Sequence, residues 1–224
     1  MPTPPDSRRR WLEGVGSLLL ALGTAPALVG CAASGLVVER DYALISPPQA
    51  TQAPGRIEVL EFFWFGCPHC ADMHPRMRAW ASQLPADVAF STWPAVFRDS
   101  WVAGARLHHT LVAMGEFDRR AGAVFDAVQL DEADLTQEAV LARWVEAQGL
   151  DRERFFRVYH SEPVKAQAAV AMQRSKDYQL RGVPAFVVDG RYLTSNSFTG
   201  SAPETLAVVD KLIEKVRAER TAKR

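Results

Sequence analysis

Three cysteines in 224 residues are too few for a disulfide framework. Two of them, Cys67 and Cys70, stand in one short motif, which points to chemistry and not to stapling. The chain also lacks a charge surplus, with 26 Lys and Arg against 26 Asp and Glu. Binding to nucleic acid through phosphate neutralisation is therefore unsupported, and no such partner is expected. There is no internal repeat and no low-complexity tract. A hydrophobic share of 48% and a charged share of 23% exclude a disordered chain. An apolar run from about Val15 to Val29 is short for a membrane-spanning helix and is broken by Pro26 and several glycines. The length suits one domain with an insert, or two small ones.

That run follows Arg8-Arg9-Arg10. A basic start, an apolar middle and a small-residue end describe an export signal over residues 1–35. Ser7-Arg8-Arg9-Arg10-Trp11-Leu12 resembles a twin-arginine signal, an address read by a receptor; the same residues also suit the general secretory route. Leu28-Val29-Gly30-Cys31 resembles a bacterial lipobox, in which Cys31 is lipidated and becomes the first residue. Cleavage after Ala27, at an Ala-x-Ala pattern, would instead leave Cys31 as a thiol. Lipidation is the preferred reading, because an unpaired thiol is a liability in an oxidising compartment. Either cleavage places the mature protein outside the cytoplasm, in the periplasm, and one lipid chain would anchor it weakly to a membrane surface. Residues 1–31 carry three Arg, one Asp and one Glu, so 23 basic and 24 acidic side chains remain without them.

Residues 46–55 read as a loop. Tyr42 to Ile45 suits a short edge strand. Ile57 to Phe65 is nearly all apolar or aromatic, as in a central strand covered on both faces. Met73, Met77, Trp80 and Leu84 form a helical stripe, which predicts a helix from Cys67 to about Leu84 with Pro75 inside it. Val88 to Trp93 reads as the next strand. From Ser100 to Tyr178 helical patterns dominate: Trp101–Gly115, Phe117–Leu130, Gln137–Gly149 and Arg152 through Tyr178. Asp134 or Thr136 is expected to cap the third of these and Asp151 the fourth, with Gly149 at a helix C-terminus. Ala185–Val188, Asp189-Gly190 and Arg191–Leu193 make a hairpin signal. Pro203 to Arg217 is a final helix with Ser201 as its cap.

Cys67-Pro68-His69-Cys70 sits where the central strand meets the next helix. A cysteine at a helix start meets unpaired N–H groups and the positive end of the dipole. Pro68 suits the first turn, and His69 can add positive charge. All three favour a thiolate at Cys67, while Cys70, one turn on, is expected to be buried. Zinc is disfavoured: no second Cys pair exists, His74 lies too close on the same helix, and His108 and His109 should point to different faces. An inert disulfide in so small a ring would stabilise little. Redox chemistry is the expectation, with no cofactor beyond the Cys67–Cys70 pair and no metal. Val183-Pro184 precedes a strand, and the dipeptide by itself favours an ordinary trans bond.

The stretch Glu-Phe-Phe-x-Phe-x-Cys-Pro-His-Cys from Glu61 to Cys70, with Val-Pro before a later hairpin, resembles the DsbA family of exported thiol:disulfide interchange proteins. The resemblance covers about residues 40–220. It implies an α/β thioredoxin fold, a central mixed sheet flanked by helices, over residues 36–99 and 179–224, with a helical domain inserted at 100–178. It implies that Cys67 is the exposed nucleophilic and leaving sulfur, Cys70 its buried partner, His69 the residue that tunes the thiolate and Pro68 part of that motif. It further implies a cis Val183–Pro184 bond facing the disulfide, with Val183 offering its backbone to substrate, and Glu61 as a buried acid beneath the site. The alternative is that Glu61 lies near the strand end and is solvated. His74, His108, His109 and His160 read as ordinary surface or partly buried residues. Trp64 and Gly66 flank Phe65 where members of the family vary, near the expected binding surface, and bear on partner preference.

The implied activity is donation of the Cys67–Cys70 disulfide to unfolded, newly exported proteins by a monomer. Reoxidation by a quinone-linked membrane partner is the matching expectation. Rival readings are a reductase or isomerase of the same fold, and a non-redox chaperone or glutathione-using isomerase.

Overall fold

The structure, a computed structural model, describes residues 35–222. The export signal, its Arg8–Arg10 start, the Ala27 cleavage site and the lipobox Cys31 lie outside the described residues. In chain order the elements are β1 (Ala43–Leu44), β2 (Ile57–Phe63), α1 (Pro68–Ala81), β3 (Val88–Pro94), a 3-10 turn (Asp99–Trp101), α2 (Val102–Ala113), α3 (Phe117–Gln129), α4 (Glu138–Ala147), α5 (Arg152–Tyr159), α6 (Glu162–Asp177), β4 (Ala185–Val188), β5 (Tyr192–Ser195), α7 (Asn196–Thr199) and α8 (Ala202–Ala222). The five strands form one mixed sheet in the order β1-β5-β4-β2-β3. Only β2 and β3 run parallel; the other neighbours are antiparallel. This is the thioredoxin-like arrangement, with α2 to α6 placed between β3 and β4.

All seven residues of β2 are buried, because both faces of the strand are covered. Ile57 and Val59 pack with Met73 and Met77 of α1 and with Val209 and Leu212 of α8. Leu60 and Phe62 turn to the other face, against Ala168 and Ala171 of α6. The two-residue period of the strand thus distributes one apolar run over two cores. A third core, built from Leu107, Leu111, Phe125, Trp144 and Phe155 of the helices, also takes in Phe63, Phe65 and Cys70. Both turn signals hold. Asp189 and Gly190 have φ of 55° and 65°, and a Cβ at Gly190 would stand 2.1 Å from the Gln49 carbonyl oxygen. Gly149 follows the end of α4 with φ of 68°.

Four boundaries differ from expectation. The stretch Arg152–Tyr178 is two helices, because Pro163 cannot donate the bond a continuous helix needs and instead sits in the first turn of α6. Asp134 does not cap α4; its Oδ1 accepts from Thr136 N and Oγ1, and Gln137 takes the N-cap position. The last helix starts at Ala202 and runs to Ala222, five residues beyond Arg217. The short helix α7 was absent from the pattern, since its four residues carry no apolar period. Asp151 does cap α5, accepting from Arg154 N at 2.8 Å, and Ser201 Oγ accepts from Glu204 N at 3.4 Å.

Candidate active site

The sheet sends β2 into a tight turn, Trp64-Phe65-Gly66, that delivers Cys67 to the N-cap of α1. Cys67 N donates to Trp64 O at 3.0 Å and closes this turn. Gly66 is required here: a Cβ would lie 2.3 Å from the Trp64 ring, which is itself stacked on Trp101 at 4.0 Å. Gln129 Nε2 of α3 donates to Phe65 O at 2.8 Å and ties the turn to the helices. Neither Gln129 nor Trp101 carries a sequence signal for this task, because each acts from a distant part of the chain.

Pro68 and His69 are exposed, Cys67 is half-buried, and Cys70 is 1% exposed. Both cysteines are thiols. The Cys67 thiol is lowered from an ordinary 9 to about 6. A hydrogen bond from the Cys70 thiol is the largest cause; backbone N–H groups of His69 and Cys70 and the charge of His69 add to it, against partial burial. Cys70 moves the opposite way, well above the ordinary value, chiefly because burial penalises its thiolate. Cys67 Sγ lies 3.4 Å from the Val183 carbonyl oxygen and donates to it. The Val183–Pro184 bond is cis, and Pro184 is buried while Val183 is half-buried. Residues 116 positions apart in sequence thus meet at one sulfur.

Glu61 is 2% exposed, and its carboxyl is raised to about 8 by burial. It pairs across the sheet with Phe186 and Thr92 and lines a small enclosed space with Phe63, His74, Thr92, Phe117 and Phe125. Its charge is felt at Cys70, which places it beneath the dithiol and away from solvent.

Two histidines are corrected. His108 and His109 are 3% and 8% exposed, and their ring centroids are 4.7 Å apart. Helix α2 is covered on several sides, by β3, α3, α5 and α6, so neighbours that diverge around the helix both end inside. His108 packs on Phe63 and Phe117, and His109 on Trp93. His74 is half-buried and His160 exposed, as expected. Among the described residues no group of three or more His, Cys, Asp or Glu could hold a metal ion, and no helix is long and apolar enough to cross a membrane.

A half-exposed acidic thiol paired with a buried basic one can exchange disulfides, and comparison with known proteins agrees. Residues 58–208 match the family model of the DSBA-like thioredoxin domain. The chain is 37% identical over 203 residues to the thiol:disulfide interchange protein DsbA of Azotobacter vinelandii, covering 91% of this chain and 94% of that one. The DsbA of Burkholderia cepacia is 32% identical over 204 residues, covering 91% and 96%. The crystal structure of Pseudomonas aeruginosa DsbA superposes with a TM-score of 0.80 at 37% identity, covering 86% of this chain and 99% of that one. With its dithiol at the start of α1 and its family match over both halves of the sheet, the chain belongs to the DsbA-like thioredoxin family of thiol:disulfide oxidoreductases.

Proposed function

We propose that the protein works as an oxidase, donating a Cys67–Cys70 disulfide to newly exported proteins in the periplasm. A substrate thiolate attacks Sγ of Cys67 and breaks the Cys67–Cys70 bond. Cys70 leaves as a thiolate and takes a proton. The second substrate thiolate then attacks the substrate sulfur of the mixed disulfide and expels Cys67. The substrate is oxidised by two electrons, the protein is reduced to a dithiol, and Cys67 departs as a stable thiolate. The carrying observation is the contrast in acidity between Cys67, at about 6, and Cys70, well above 9. A thiolate held this low stabilises the reduced protein and makes the disulfide oxidising. This family is a reference case for that effect, so the geometry here supports the direction and not the magnitude.

Each site residue has a part in this reading. Pro68 leaves the first turn of α1 without a wasted donor, and His69 supports the Cys67 thiolate. Glu61, protonated below about 8, is the proton source for Cys70. Val183 O, now facing Cys67, and the adjoining backbone receive an extended substrate segment, held in place by Pro184. A quinone-linked membrane protein would return the disulfide. Lipidation of Cys31 would keep the monomer at a membrane surface.

The test is the equilibrium of the mature protein with glutathione, followed by Trp fluorescence and thiol alkylation. A potential above about −200 mV supports the oxidase; a value near about −270 mV overturns it in favour of a reductase.

A further inference from the structure

The sheet has an open side that the dithiol chemistry does not use. β3 is the last strand, and the register tells which of its backbone groups are free. Ile57 N donates to Asp87 O, and Ala95 N donates to Phe63 O, so odd-numbered residues of this segment address β2. In a parallel ladder the alternate residues turn both N–H and C=O outward. Phe90 and Thr92 are those residues. Val88 N, the next in the series, already donates to Pro85 O. No Lys guards the edge, and its one proline, Pro94, lies at the far end of the strand.

This edge forms one side of a groove of about 750 Å³. Phe90, Trp93, Val112 and Phe117 supply apolar surface, with Val112 50% exposed. Three residues of its lining each hold a buried polar atom without a partner among the described residues: Glu58 at Oε2, His108 at Nδ1 and His109 at Nε2. His108 Nε2 lies 3.4 Å from Thr92 Oγ1, so its second nitrogen is the one left open. Burial holds both rings neutral, so they can meet amide groups, while Arg56, Glu58 and Asp118 bring both signs of charge to the lining. The lining includes neither cysteine of the motif nor Val183.

We propose that this groove is a second polypeptide site, where an extended segment of unfolded substrate adds a strand to β3 through Phe90 and Thr92. The proposal rests on the reading of unfolded chains as substrate. Paired outward donors and acceptors two residues apart repeat at the spacing of a strand; a helix has no free backbone groups to meet them. Residues of α2, α3 and α6 line the groove beside this edge, and the occupant assigned to it is one extended chain. A long unfolded chain held here and at Val183 would react at raised effective concentration.

The probe is reduced ribonuclease A with every thiol capped by iodoacetamide, so that it cannot react with Cys67. Hydrogen exchange is measured on the full mature protein. The expected result is slower exchange at the Phe90 and Thr92 amides when probe is added. Val112→Arg, at an exposed position, should weaken probe binding by about tenfold and leave exchange with glutathione unchanged. Protection confined to the region of Val183, or equal binding by Val112→Arg, would overturn the proposal. Protection that rises with protein concentration in the absence of probe would overturn it in favour of self-pairing. Oxidation of uncapped ribonuclease A reads the oxidase activity separately, so loss of the second site and loss of that activity are told apart.

Discussion

Cys67 on the rim of the dithiol site and Cys70 on its floor are three residues apart in sequence and opposite in chemistry. The rim holds Cys67, Pro68 and His69, partly or wholly in solvent, with the helix start and the Val183 carbonyl around the sulfur. The floor holds Cys70 and Glu61 among Phe63, Phe65 and Phe125. On the rim an acid becomes stronger, because its anion is solvated and meets N–H donors. On the floor both acids become weaker, because burial removes water and no cation replaces it. The same two functional groups would be alike in a peptide. In the proposed reaction this difference favours release of Cys67 as a thiolate.

Breaking the comparison outright gives the largest effect. Cys67→Ser should abolish disulfide exchange, whereas Cys70→Ser should accumulate mixed disulfides through Cys67, seen as a mass shift under non-reducing conditions. Equal behaviour of the two variants would remove the distinction.

The floor is tested next by Glu61→Gln. A carboxyl raised from about 4.5 to about 8 binds its proton more tightly in the folded state, so folding stability falls as pH rises between those values. The variant should therefore equal the parent near pH 4 and exceed it above pH 8. The gap should be on the order of 2–4 kcal/mol by urea denaturation, at ~1.4 kcal/mol per pH unit reduced for relaxation. A constant gap across that range would argue against a buried acid.

The scaffold of the rim is tested by Gly66→Ala. The added Cβ collides with Trp64 and forces the Trp64–Trp101 stack apart. A loss of about 2 kcal/mol is expected, with a changed Trp fluorescence spectrum. Unchanged fluorescence would mean that the turn, and not the ring, gives way.

The smallest effect is expected from His69→Leu, which removes one contributor to the low Cys67 value and leaves the hydrogen bond from Cys70. The thiolate, followed by its ultraviolet absorbance, should titrate up to about one pH unit higher, a tenfold change. Linkage supplies a second readout. In the reduced parent the stabilisation from Cys67 is complete above pH 9 and is lost as pH falls through about 6. The variant should lose it at a higher pH.

Much of this is legible in the sequence. The unbroken apolar run from Ile57 announced a strand buried on both faces, and Asp189-Gly190 announced the hairpin. The motif, its place at a helix start and the sense of the Cys67 shift followed from helix electrostatics. The misjudged points share a cause. Helical patterning runs from Arg152 through Tyr178 without a break, although the backbone cannot continue through Pro163. His108 and His109 read as surface or partly buried residues, and are buried, because a sequence shows the angle between neighbours and not how many elements surround the helix.

By itself the sequence determined most of the secondary structure and the reactive group, because strand period, turn residues and helix-start chemistry are all local. Only the tertiary structure decided where that group sits. It set the Val183 carbonyl against Cys67 across 116 residues, brought Gln129 to Phe65, closed Glu61 off from water and left the backbone of Phe90 and Thr92 open. Each of these depends on which distant side chains exclude solvent, and burial is a property of the packed whole that no local pattern encodes.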